Sequence, residues 1–330
     1  KISRNKLITS PEGWPKRVPP GAFYDPAIVD LGGSPSPELV LIDSSSGNLY
    51  LWETSTQSMQ SIGDQSNSMP FVTISDKGDT SEGYATYFTR LNNPVSFPSV
   101  VDGAVMVPTQ ENIFVLRSLT DTLSIALSHK ASSYISVYDT DKWVLGCEDG
   151  ALIFGQKEAI VKTVLPSRKE DSSAVNALGI INETDGTIAL VRSNGMVAVF
   201  NRDGMISQLQ LSDGIAPYSL ALADLAPSTI DNHTSPYIVI SDSKQGLWSL
   251  TTHASLQIAP GWSTDPIDWA GFFHIREDTT NESRTLLPDN NGSISFADLD
   301  HDGTLEIIAG GTNGIYAINY QGTLLPGWPA

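Results

Sequence analysis

Nine consecutive residues near the C-terminal end concentrate the chemistry of this chain: Asp298-Leu299-Asp300-His301-Asp302-Gly303-Thr304-Leu305-Glu306. Carboxylates at the alternate positions Asp298, Asp300 and Asp302 can converge on one hard cation when the backbone curls, and Gly303 supplies the freedom for a sharp turn. The Thr304 carbonyl can add an oxygen, and Glu306 can close the shell from the start of the next element. An all-oxygen set with several carboxylates suits Ca²⁺ better than Zn²⁺. The loop is not an EF-hand: the position of the closing carboxylate is taken by Ala309, and both flanks read as strands rather than helices. Without a cation the same residues make only a solvated Asp-Gly turn.

Other reactive groups are scattered. His129, His233, His253, His274 and His301 show neither His-x-His nor His-Glu-x-x-His spacing, and no Gly-x-Ser-x-Gly elbow or phosphate-cradling glycine loop is present. The single cysteine, Cys147, excludes an internal disulfide framework and a Cys-based zinc site, and its apolar setting reads as a buried thiol. Most of the seven tryptophans fall at strand ends, where they pack between sheets. Exposed tryptophans near a polar rim can instead stack on sugar rings, and Trp262 with Trp269 is the candidate pair for that role. No catalytic residue is assigned.

The elements that must carry this loop repeat along the chain. Ser293–Gly310 followed by Gly314-Ile315-Tyr316-Ala317-Ile318 gives a small-residue strand, an acidic turn, an apolar strand, a glycine turn and another apolar strand. Ala27–Leu31, Glu38–Ile42 and Gly47–Trp52 give the same sequence of features, and Asp30 to Glu38 spans nine residues, as Asp298 to Glu306 does. That equality marks homologous units. Weaker copies fill the middle, and their turn glycines Gly150, Gly195 and Gly246 lie 45 and 51 residues apart, periods that suit a propeller blade.

No long segment has helical periodicity. The expected fold is therefore all-β, a β-propeller of six to seven four-stranded blades in one domain spanning residues 1–330. Blade-like units fall near 25–60, 97–125, 133–165, 175–210, 217–262 and 292–330. Insertions fall near 65–95 and 263–290, with hairpin strands at Tyr84–Phe88 and Gly271–Ile275. Segments ending in Gly-Trp recur at Trp14, Trp262 and Trp328, so the chain begins and ends on outer-strand patterns. Either the first completes a sheet elsewhere in the ring, or the chain is part of a longer protein.

The acidic loop, its strand flanks and the Gly-Ile-Tyr-Ala strand resemble the FG-GAP or VCBS repeats of integrin-α-like β-propellers and many secreted bacterial proteins. In that family the matching loop binds Ca²⁺ between blade strands. The resemblance implies Asp298, Asp300, Asp302, Thr304 through its carbonyl, and Glu306 as the ligand set here. At the first copy Gly32, Ser34 and Pro35 replace the middle acids and the turn glycine, so no metal is expected there. Asp139-Thr140-Asp141 is too short for a shell, and Asp224 stands alone.

Composition narrows the functions. The 37 acidic against 19 basic side chains give a net charge of -18, which repels phosphate backbones and disfavours nucleic acid as a partner. No apolar run approaches the roughly 20 residues a membrane span needs. Together these features point to a non-catalytic extracellular or envelope interaction module, secreted or periplasmic. It would bind a protein or carbohydrate and carry a structural Ca²⁺ in its C-terminal blade. The alternative is a propeller enzyme, either a lyase or hydrolase acting on polysaccharide or a quinoprotein-like dehydrogenase.

Overall fold

The computed structural model describes residues 24–32, 37–53, 69–74, 80–166, 172–184, 186–201, 204–211, 217–225, 236–242, 246–252, 255–259, 262, 267–268, 294–311 and 314–328. Among them every named element is a strand, and the strands form six antiparallel sheets. The first contains β1 (Ala27–Val29), β2 (Glu38–Ile42), β3 (Asn48–Glu53), β4 (Met69–Ile74) and β5 (Thr80–Arg90), in the order β1-β2-β3-β5-β4. The second is a meander of β6 (Ser99–Val101), β7 (Ala104–Pro108), β8 (Asn112–Ser118) and β9 (Asp121–Ala126). The third runs through β10 (Ala131–Tyr138), β11 (Lys142–Cys147), β12 (Leu152–Gln156) and β13 (Ala159–Val164).

The fourth sheet follows the same path with β14 (Val175–Asn182), β15 (Thr187–Arg192), β16 (Met196–Asn201) and β17 (Gly204–Gln210). The fifth has β18 (Pro217–Ala223), β19 (Tyr237–Asp242), β20 (Gly246–Thr251) and β21 (Gln257–Ile258), with β22 (Ile267–Asp268) also pairing with β20. The sixth has three described strands, β23 (Ile294–Ala297), β24 (Glu306–Gly311) and β25 (Gly314–Ile318). This antiparallel sheet, repeated through the described residues, is the blade of a β-propeller.

Burial follows strand position. The inner strands β7 and β15 are buried at every residue, matching their unbroken Ala-Val-Met-Val-Pro and Thr-Ile-Ala-Leu-Val-Arg runs. The outer strands β9 and β13 are mostly exposed. The turns that carried the repeat argument hold: Gly150 and Gly195, each between the second and third strands of its sheet, have φ of +81° and +82°. In the first sheet, Thr86–Arg90 of β5 pair with β3 while Thr80–Ala85 pair with β4. The stretch expected as an inserted hairpin thus supplies the fourth strand of that sheet. The second expected hairpin, Gly271–Ile275, lies outside the described residues, as do Trp14 and Trp269.

The chain divides into two compact units, Lys1–Trp143 with Gly155–Ile160, and Val144–Phe154 with Val161–Ala330. In the first unit, Ala27, Val29, Val40, Ile42, Leu49 and Leu51 form a core with Val105, Val107 and Leu116 of the second sheet. Ser99 of β6 donates its hydroxyl to the Ile135 carbonyl of β10 at 2.8 Å, which sets the first strands of two sheets side by side. In the second unit, Asn176 of β14 donates to the Pro217 carbonyl at 2.7 Å, and the bare face of Gly179 accommodates Leu220 and Leu222. The contacts advance along both strands together, so β14 and β18 run parallel. β18 in turn packs against β23, which places the acidic loop at the end of the last of these strands.

Candidate metal centre

The loop from Asp298 to Leu305 joins β23 to β24, and Ala297 pairs with Glu306 at its neck. His301 and Gly303 take φ of +63° and +88°, which curls the backbone inward. That curl is closed by the loop's own carboxylates. Asp298 Oδ2 accepts the Gly303 N–H at 3.2 Å, and Asp300 Oδ1 accepts the Asp302 N–H at 3.2 Å. Asp302 Oδ1 accepts both the N–H and the hydroxyl of Thr304, at 2.7 and 2.6 Å. Glu306 is 1% exposed, and its Oε2 accepts the Leu299 N–H at 2.7 Å.

Oxygens of Asp298, Asp300 and Glu306 lie within 4.8 Å of one another. Asp298 Oδ1 is buried and has no hydrogen-bond partner. A buried carboxylate oxygen without a donor is costly unless a cation satisfies it. Glu38 Oε1 in the first repeat is orphaned too, so it is the convergence of three acids on the Asp298 oxygen that makes this donor set fit a hard metal ion. The electrostatics agree. Burial pushes the Glu306 carboxyl above the usual range, and the charges of Asp300, Asp302 and Asp298 push the same way against the Leu299 N–H. Asp302 is held low by the Thr304 hydroxyl and N–H.

The remaining candidates are arranged differently. Asp302 faces Thr304, and the three acids brought together are Asp298, Asp300 and Glu306. Asp139 is engaged by the Thr140 N–H at 2.8 Å and by Lys142 at 2.7 Å, and Asp141 by Gln156 at 2.9 Å. Trp262 is half-buried: its indole N–H donates to the Tyr320 carbonyl at 2.7 Å, and its ring packs on the core around Leu225, Tyr237 and Ile307. Its companion Trp269 falls outside the described residues. Cys147 is buried in an apolar setting that pushes its thiol up to about 12, which makes it unreactive.

Sequence reading missed Arg192. It is 1% exposed at the end of β15 and donates to the carbonyls of Gly150 at 3.3 Å and Ser173 at 3.1 Å. The available signal was an Arg closing an otherwise apolar strand.

Two crystal structures of BBS1N in complex with ARL6DN are similar to this chain. The lead-soaked one has 14% identity and a TM-score of 0.58 over 96% of this chain and 87% of the other. The mercury-soaked one has 14% identity and a TM-score of 0.57 over 92% and 81%. BamB from Moraxella catarrhalis has 15% identity and a TM-score of 0.52 over 92% of this chain and 76% of its own. No family model matches the sequence, and no curated protein matches it. At such identities the shared property is the fold. The chain is a β-propeller, as its sheets indicate; the calcium-repeat family suggested by the acidic loop is not among what these comparisons establish.

Proposed function

We propose that this chain is a protein-binding β-propeller whose last described sheet carries a Ca²⁺ site, and that it works outside the cytoplasm. The observation that carries the metal reading is the meeting of Asp298, Asp300 and Glu306 around a buried, unpartnered Asp298 oxygen. Asp298 and Asp300 would hold the ion with one oxygen of Glu306, while Asp302 and the Thr304 backbone shape the loop's mouth. A bound ion here neutralises clustered charge and braces the loop; it supplies no reaction. The interaction reading is supported by the likeness to BBS1N, a propeller solved in complex with ARL6DN. Export is supported by the chemistry of the site, since extracellular calcium modules bind at about 10⁻⁴–10⁻³ M and need a calcium-rich setting.

The test is a calorimetric Ca²⁺ titration of chelator-treated protein, taken to several millimolar and repeated on Asp300→Ala. Saturable binding in the wild type that vanishes in the variant is the expected result; silence in both reduces the loop to an acidic turn. The interaction reading is tested by immobilising the chain with and without Ca²⁺ over an envelope extract of its host. A defined protein retained in stoichiometric amount supports it, and the absence of any would sink it.

A further inference from the structure

The first and last repeats share one contact that the cation reading does not require. Val29 pairs with Glu38 in the first sheet, and Ala297 pairs with Glu306 in the sixth, so the two glutamates occupy the same register. Each turns back to accept the backbone N–H seven residues earlier: Glu38 from Leu31 at 2.9 Å, and Glu306 from Leu299 at 2.7 Å. Each is 1% exposed. Yet the intervening acids differ. The last repeat carries Asp300 and Asp302, whereas the first has Gly32 and Ser34 in their places. The glutamate and its amide bond persist where the first acid, Asp30, remains but the two middle carboxylates of a metal shell are missing.

We infer that Glu38 and Glu306 are positioning residues, carboxylate clamps that pin the connection between the first and second strands of their sheets without a cation. The physical reason lies in the loop's path. Leu31 and Leu299 lie two residues past the ends of β1 and β23, beyond the strand ladder, so the N–H of each needs another acceptor, at a buried position for Leu31 and a partly buried one for Leu299. The buried glutamate that opens the next strand supplies that acceptor. In the last repeat the clamp spends Glu306 Oε2 on Leu299, leaving one oxygen of this residue for an ion. The loop is therefore built before any metal arrives, and Ca²⁺ fills a preformed site rather than folding one. That last consequence rests on the calcium reading; the clamp does not.

The test uses the full chain and four variants: Glu38→Ala, Glu38→Gln, Glu306→Ala and Glu306→Gln. Glutamine keeps an oxygen for the amide and removes the charge. In chelator, both alanine variants should melt lower by about 3–6 °C, or fail to fold, while the glutamine variants recover most of the loss. Added Ca²⁺ should leave the Glu38 variants' deficit unchanged. Glu306→Gln should still bind Ca²⁺ within about tenfold of wild type, unlike Asp300→Ala. Alanine variants that melt like wild type in chelator would overturn the clamp, as would glutamine variants that do not fold. Loss of Ca²⁺ binding in Glu306→Gln as complete as in Asp300→Ala would make Glu306 a ligand first. If wild type binds no Ca²⁺, the metal reading falls alone, and the chelator melts still decide the clamp.

Discussion

A carboxylate in this chain acts according to which donors have already claimed its oxygens. In the acidic loop, Asp302 spends Oδ1 on both the N–H and the hydroxyl of Thr304, whereas Asp298 keeps a buried oxygen without a partner. Asp302→Ala should therefore lower the melting point while weakening Ca²⁺ binding less than Asp300→Ala does, a split that paired melts and calorimetry would resolve. Asp43 shows the same logic without metal. Burial alone would raise its carboxyl, but the hydroxyl and N–H groups of Ser45 and Ser46 donate to it and hold it below the ordinary range. A depressed folded-state value stabilises the fold above the unfolded value of about 3.9, and this contribution is lost as pH falls through the folded one. Asp43→Asn should cost about 1 kcal/mol at pH 7, and the gap to wild type should shrink below about pH 4 in pH-dependent chemical denaturation.

At the scale of an element, packing depends on small residues facing large ones. Trp143 on β11 is fully buried, and its indole N–H donates to the Lys157 carbonyl at 2.7 Å. Its ring lies over Gly155 of β12, where an added Cβ would come within 2.0 Å of the ring carbons. The atoms it would meet are ring carbons of a fully buried side chain rather than the end of a flexible one. Gly155→Ala should destabilise the chain by about 1–3 kcal/mol and shift the Trp143 emission, measurable by denaturant titration followed by fluorescence. On β13 the opposite holds: Val161 is 65% exposed, so Val161→Thr should change stability by no more than about 0.5 kcal/mol.

Over the whole molecule, charge opposes itself. Ion pairs such as Arg117 with Glu158 and Lys157 with Asp102 are exposed and contribute little, while the net charge of -18 repels throughout. Salt screens both, and with 37 acidic against 19 basic side chains the repulsion should be the stronger of the two. The melting midpoint should rise as NaCl goes from about 20 to 150 mM. A fall would mean that the surface pairs outweigh the net field.

The amino-acid sequence alone determined the all-β class, the repeat and the acidic loop, because strand alternation, turn glycines and a nine-residue Asp-to-Glu spacing are local patterns. Even the correspondence between Glu38 and Glu306 was visible as spacing, and the shared register bears it out. What local pattern could not reveal is which atom meets which. Only the tertiary structure decided that Asp302 turns to Thr304, that Trp262 spends its indole N–H on Tyr320, and that Arg192 is buried against the Gly150 and Ser173 carbonyls. Each of those contacts depends on where the backbone carries a donor or acceptor, and in the last two that partner lies many residues away. A carboxylate, an indole or a guanidinium reads the same in sequence whether water or the protein satisfies it; packing makes that choice.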